Sequence, residues 1–275
     1  MKISIQGNEG SYHDIVARHT FKEKFSLLER DSFKEVFADV AESRAEFGVI
    51  AIENSIAGSI LENYDNLLKF DLYVVGEVYL RIAHQLMTLP GTELPEIKQV
   101  LSHPMAIKQC EEFLSRYPDW EIIEAADTAG SAAKIRRESL HNTAAIASKL
   151  AAEIYELDVV AADIETNKEN YTRFLVISKK EEYADGANKT SLVFTAEDTP
   201  GSLARVLSVF AELGINLTKI ESRPIIGSRW NYYFYIDFEA GIKDEKTAKA
   251  FREIKPFIKW KRVLGSYKEG TPFNK

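Results

Sequence analysis

Apolar and polar residues follow two different periods along this chain. Lys2–Gln6 alternates as a short strand, and Phe47-Gly48-Val49-Ile50-Ala51-Ile52 is apolar throughout, the pattern of a strand buried on both faces. Elsewhere the period lengthens to that of a helix. Positions 12 to about 24 read as a helix capped by Ser11. Ser32 caps another that runs to 43 and carries Phe33, Val36, Phe37 and Val40 on one face. Further strands are predicted over 25–29, 97–101, 120–124, 144–147 and 157–161, with helices after 58–59, 102–104 and 127–131. The stretch 72–87 is long for one strand and is interrupted by Glu77, Arg81, His84 and Gln85. It reads as a strand crossing from one lobe to another.

This alternation predicts an α/β chain with a mostly parallel, doubly covered sheet, in two lobes joined by crossings near 80 and 160. The pattern breaks at 179–189, a polar and charged linker. Beyond it, strands over 190–195, 215–220, 232–238 and 258–267 and helices over 203–213 and 244–254 give the order βαββαβ, a ferredoxin-like unit. The last of these is read as the final strand of the chain.

Composition narrows the function classes. The 275 residues carry a net charge of −7, which disfavours a nucleic-acid partner, so an anionic ligand needs local donors. A single cysteine, Cys110, excludes an intrachain disulfide and fits a reducing compartment. Neither a signal-peptide pattern nor a run of 18 apolar residues is present, which predicts a cytoplasmic protein without a membrane partner. Cys/His spacings suited to a metal, a phosphate loop and a dinucleotide fingerprint are all missing, so no metal and no cofactor are expected.

Ligands in such folds bind beyond the carboxyl ends of the strands. There the chain places Gly10-Ser11, Glu53-Asn54-Ser55, Ser102-His103 and Asp127-Thr128, each before a helix whose N–H groups suit carboxylates or phosphates. Ser102 is read as a helix cap, and Gly58 permits close backbone approach. Gln109 lies two turns into its helix and faces the cleft only if that helix leans over it. The stretch Asn170-Tyr171-Thr172-Arg173-Phe174 brings an amide, a hydroxyl and a guanidinium to the entry of an apolar strand, with Thr172 and Arg173 on opposite faces.

Together these stretches resemble the prephenate dehydratase family over nearly the whole chain. Gly7-Asn8-Glu9-Gly10-Ser11-Tyr12 is similar to the family's N-terminal turn. Glu53-Asn54-Ser55 with Gly58-Ser59, Ser102-His103-Pro104 with Gln109-Cys110, and Thr172-Arg173-Phe174 are similar to its later motifs. Gly201-Ser202-Leu203 and Glu221-Ser222-Arg223-Pro224 resemble those of an ACT domain. The resemblance implies a two-lobed fold like that of periplasmic binding proteins over 1–180. Its lobes would be about 1–80 plus 162–180, and 81–161, with a regulatory ACT domain over 190–275.

The implied activity is decarboxylative dehydration of prephenate to phenylpyruvate, under feedback control by phenylalanine. Thr172 would be the general acid, assisted by Asn54, Ser55 and Arg173. Ser11, Gly58, Ser59, Ser102, Gln109, Thr128 and Phe174 would contact substrate. Phenylalanine would meet Asp198, Pro200, Gly201, Ser202 and Leu203, with Asn216 and the Glu221, Ser222, Arg223 and Pro224 stretch. A homodimer or homotetramer is expected, because one ACT domain leaves a sheet edge exposed. Three positions depart from the family pattern: Asn8 replaces Pro, Met105 replaces Gln and Asn63 replaces Thr. Arogenate is the rival substrate, and a non-catalytic solute-binding or phenylalanine-sensing protein is the rival class.

Overall fold

The computed structural model describes residues 1–273, so the last two positions of the expected 190–275 unit lie outside the described residues. Its first half runs β1 (Lys2–Gln6), α1 (Tyr12–Thr20), β2 (Ser26–Arg30), α2 (Phe33–Ala41), β3 (Phe47–Asn54), β4 (Gly58–Ser59), α3 (Leu61–Lys69), β5 (Tyr73–Arg81) and β6 (Gln85–Thr88). It continues through β7 (Gln99–Ser102), α4 (Pro104–Gln109), α5 (Glu111–Leu114), β8 (Glu121–Glu124), α6 (Thr128–Glu138), β9 (Thr143–Ala147), α7 (Lys149–Ile154), β10 (Asp158–Ala161) and β11 (Tyr171–Ser178). The remainder is β12 (Lys189–Ala196), α8 (Ser202–Glu212), β13 (Leu217–Pro224), β14 (Tyr232–Phe238), α9 (Glu245–Glu253), β15 (Ile258–Tyr267) and β16 (Pro272–Phe273).

Several boundaries depart from the periodic reading for local reasons. α1 stops at Thr20 instead of 24, because Phe21 is extended and its N–H closes on the Ala17 carbonyl at 2.9 Å. Ser32 does cap α2, and Glu35 reaches back to complete a capping box. The cap of α4 is His103, not Ser102: its ring Nδ1 accepts from the Met105 N–H at 3.1 Å. The stretch 72–87 is two strands, β5 and β6, which belong to different sheets.

Three sheets result among the described residues. One runs in the order β16-β5-β11-β3-β1-β2 with β4 paired to β3, the second is β10-β6-β9-β7-β8, and the third is β13-β14-β12-β15. β16 was not expected from the sequence. It pairs parallel to β5, and Phe273 stacks on His19 with ring centroids 3.8 Å apart.

By its contacts the chain forms two compact units. The first comprises Met1–Ser59 and Tyr79–Phe174, joined by Pro272 and Phe273. In it the second sheet buries Met87, Ala145 and Ala147 beneath α6 and α7, and Leu86, Val100 and Ile146 beneath α4 and α5. The turn after β1 packs on α7. A Cβ on Gly10, whose φ is +86°, would sit 2.9 Å from the Ala151 Cα, so only glycine fits. Ser148 Oγ donates to the Gly10 carbonyl at 2.5 Å and Tyr155 Oη to the Glu9 carbonyl at 2.8 Å, which pins the two lobes of this unit together.

The second unit comprises Ile60–Val78 and Leu175–Thr271. The antiparallel β13-β14-β12-β15 sheet buries Leu192, Phe194, Ile236 and Phe238 against α8 and α9. Its other face is covered by α3 and the start of β5, which the sequence assigned to the N-terminal lobe. Tyr235 Oη donates to the Tyr64 carbonyl at 3.0 Å, Arg262 Nη2 to the Leu72 carbonyl at 3.1 Å, and Lys189 Nζ meets the buried Glu77 carboxylate at 3.0 Å. Lys189 therefore opens a buried strand and does not end the linker.

Candidate active site

Asn54 closes β3 and is buried. Its Oδ1 accepts from the Ile56 and Ala57 N–H groups at 3.0 and 2.8 Å, a local turn that fixes which end of the amide is which. Its Nδ2 therefore donates, facing Asn170 Oδ1 at 2.7 Å, Thr172 Oγ1 at 3.0 Å and the Tyr171 carbonyl at 3.2 Å. Thr172 is thus an acceptor towards Asn54, and its own O–H proton remains free to donate to a ligand. A hydroxyl in this state is a hydrogen-bond acid whose developing negative charge the Asn54 amide stabilises.

Ser55 holds the same two segments together by other bonds. Its Oγ donates to the Glu169 carbonyl at 3.0 Å and accepts from the Tyr171 N–H at 2.9 Å, while its N–H donates to the Tyr171 carbonyl at 2.8 Å. The hydroxyl is committed to the backbone, so Ser55 sets the spacing between β3 and the entry to β11.

A second constellation forms where the lobes meet. His84 lies between β5 and β6, with Nδ1 2.8 Å from Tyr12 Oη and Nε2 2.9 Å from Gln109 Oε1. Gln109 does lean over this region, and His84 is its partner. Burial lowers the His84 pKa, partly offset by the Gln109 hydrogen bond and the Glu165 charge. Burial also raises Tyr12 well above its ordinary value, assisted by Cys110, Glu165 and Asp163. Both groups are therefore neutral near pH 7 and act as hydrogen-bonding parts. The Glu165 carboxylate accepts from Arg81 Nη2 at 2.7 Å and from the His84 N–H at 2.9 Å, which fixes the corner.

The other predicted residues divide into those placed at strand ends and those placed in the core. Ser11 caps α1, accepting from the Asp14 N–H at 3.3 Å, and Thr128 opens α6 behind the Asp127 cap. Gly58 and Ser59 form β4, opposite Asn54 and Glu53. Ser102 is fully buried and its Oγ donates to the Ile146 carbonyl at 2.7 Å, so it ties β7 to β9 instead of facing a ligand. Phe174 is also core, edge-on to His13 with centroids 5.0 Å apart. Arg173 is 5% exposed and Thr172 8% exposed. Met105 is exposed and Asn63 is buried in α3, within the second unit. Tyr12 and His84 were missed as site residues. The only signal for His84 was its polarity inside an apolar stretch. Among the described residues, no group of three or more His, Cys, Asp or Glu is placed to hold a metal ion.

A cavity of about 690 Å³ lies in the second unit, lined by Asp198, Gly201, Ser202 and Leu203 from the start of α8, and by Trp230, Tyr232 and Lys259. It unites part of the predicted effector set. Pro200, Asn216 and the Glu221–Pro224 stretch lie outside its lining. That stretch falls on β13, where Arg223 grips Asp65 of α3 through Nε at 3.0 Å and Nη2 at 2.6 Å. The Arg223 fork, expected to meet the effector, is engaged by a carboxylate of its own chain, because α3 packs beside β13. The 225–231 loop was missed, since Ile225-Ile226-Gly227-Ser228-Arg229-Trp230-Asn231 carries no periodic signal.

A family model described as prephenate dehydratase matches residues 3–182, and one described as ACT domain matches residues 190–256. The Arabidopsis thaliana protein "Arogenate dehydratase/prephenate dehydratase 2, chloroplastic" is 40% identical over 284 residues, covering 98% of this chain and 74% of its own. The structure of a prephenate dehydratase from Arthrobacter aurescens in complex with L-Phe is similar at a TM-score of 0.87 and 28% identity, over 98% of this chain and 90% of that one. GqqA, described as a novel type of quorum quenching acylase, is similar at a TM-score of 0.89 and 30% identity, over 99% of each chain.

Proposed function

The chain belongs to the prephenate dehydratase family, and from that premise we propose that its Asn54–Thr172 centre converts prephenate to phenylpyruvate in phenylalanine biosynthesis. The enzyme is a carbon–oxygen lyase. Electrons of the bond to the ring carboxylate move into the ring as CO2 leaves, the bond to the 4-hydroxyl breaks, and that oxygen departs as water after gaining a proton. Aromatisation supplies the driving force, so the protein has to orient a dianion and assist a poor leaving group. The observation that carries this reading is the 3.0 Å contact in which Asn54 Nδ2 donates to Thr172 Oγ1, leaving the threonine proton for the leaving oxygen.

Asn54, Ser55, Thr172 and Arg173 form the proposed catalytic group, with Ser55 as the clasp and Arg173 as a cation for carboxylate. Ser11, Gly58, Ser59, Gln109 and Thr128 line the substrate side, whereas Ser102 and Phe174 support it from the core. Residues 1–180 serve as the catalytic part and 190–275 as the ACT part. In the ACT part phenylalanine occupies the cavity beside Asp198, Gly201, Ser202 and Leu203. The exposed Ile226 and Trp230 and the edge position of β13 support pairing of two copies, hence a homodimer or a dimer of dimers. No described helix is long and apolar enough to cross a membrane, and the enzyme is assigned to the cytoplasm.

Arogenate is the second reading, favoured by the double name of the Arabidopsis relative. An acylase reaction is not favoured, because the contact at Thr172 Oγ1 is an amide donor and not a base that could take its proton. The test is turnover of prephenate and arogenate side by side, for the wild type and Thr172→Ala. Loss of the general acid predicts a fall of roughly 10²–10⁴ in kcat on the preferred substrate. A kcat within a few-fold of wild type would refute the assignment.

A further inference from the structure

Asn170 is fully buried at the entry to β11, two residues before Thr172 and on the same face of the extended chain. Its carbonyl accepts from the Ile82 N–H at 2.7 Å, which holds the backbone. Its side-chain Oδ1 accepts from Asn54 Nδ2 at 2.7 Å. Asn54 is oriented by the two backbone N–H groups on its Oδ1, so Asn170 must present its oxygen to Asn54. The consequence falls on the other end of the Asn170 amide. Nδ2, a donor with two protons, is buried and has no partner. An unpaired buried donor is costly, and this one belongs to the amide that shares the Asn54 Nδ2 donor with the Thr172 hydroxyl.

Resting on the function proposed above, we propose that Asn170 is a positioning residue. Its oxygen holds the Asn54 amide at the distance that serves Thr172, and its free NH2 is reserved for an acceptor oxygen in the ligand-bound state. The pairing is completed only when substrate binds, so the resting cost of the unpaired donor is recovered in the complex. Asn170 therefore contributes to KM through its nitrogen and to kcat through its oxygen.

Two substitutions separate these roles, with Thr172→Ala run in parallel. Asn170→Ala removes both ends of the amide and is expected to lower kcat and raise KM, each by at least tenfold. Asn170→Asp keeps the acceptor for Asn54. Its carboxyl can replace the donor only while protonated. Its kcat should stay within about threefold of wild type, while KM on prephenate rises as pH increases from 5.5 to 8.5, a limb absent from the wild type. Circular dichroism at each pH checks that the fold persists. The proposal is overturned if both Asn170 variants keep wild-type kcat and KM, if the pH limb in KM is missing, or if the variants unfold, since Asn170 would then serve only the fold. If Thr172→Ala itself keeps turnover, the site reading fails, whatever the Asn170 variants do.

Discussion

His13 offers a test of the packing behind the site that needs no substrate. It lies in α1, 8% exposed, edge-on to Phe33 at 5.5 Å and to Phe174 at 5.0 Å. Its Nε2 is buried without a partner, and burial lowers its pKa to about 3. In the unfolded chain the ring titrates near 6.5. The folded state is therefore the poorer proton binder, and stability is lost as pH falls from 6.5 towards 3. Between pH 7.5 and 5.0 the loss from this ring alone is about 2 kcal/mol. Phenylalanine keeps the ring-edge packing and cannot titrate. On going from pH 7.5 to 5.0, wild-type Tm should fall by about 4–8 °C more than that of His13→Phe, for a chain of this size. The other histidines are common to both proteins and cancel in the difference. Parallel Tm curves would show that His13 is protonated in the fold and that its setting is not apolar.

Four further outcomes follow from contacts in the second unit and at Arg173. Lys189→Met leaves the buried Glu77 carboxylate without that cation, which costs about 3–5 kcal/mol, and Tm should drop by at least roughly 6 °C; an unchanged Tm would mean that the pair is solvated. Gly201 has φ +87°, so Gly201→Val strains the start of α8, and phenylalanine inhibition should weaken with kcat on prephenate kept; undiminished inhibition would move the effector elsewhere. Arg223→Ala and Asp65→Asn should weaken inhibition equally, since each breaks the same bidentate pair; loss of phenylalanine binding only in Arg223→Ala would show that the guanidinium touches the effector. Arg173→Lys should not restore turnover, because a point charge cannot reproduce a planar fork, and near-normal kcat and KM would show that charge alone suffices.

Features that depend on neighbours along the chain were legible in the amino-acid order. Alternation and apolar runs located β1, β14 and β15 to the residue, and the Ser32 cap set the start of α2. The order βαββαβ after position 189 was legible because each element carries its own period. Short motifs also marked Asn54, Ser55 and Thr172, since a turn leaving a buried strand and a polar strand entry are local patterns.

The partner that each polar group takes was set by packing between distant segments. Ser102 and Phe174 carry the same local signal as Asn54 and Thr172, yet strand pairing and the packing of α1 turn them into the core. Arg223 reads as an effector contact, yet α3, 158 residues earlier, brings Asp65 to it. No period along the chain indicates that Ile60–Val78 joins the second unit, or that Pro272–Phe273 adds a strand to β5. The donors of Asn170 are unpaired only because Asn54, 116 positions away, has taken its oxygen. Local patterns select backbone conformation, whereas hydrogen-bond partners and burial are set by contacts between distant segments, and the chemistry of the site is made of those contacts.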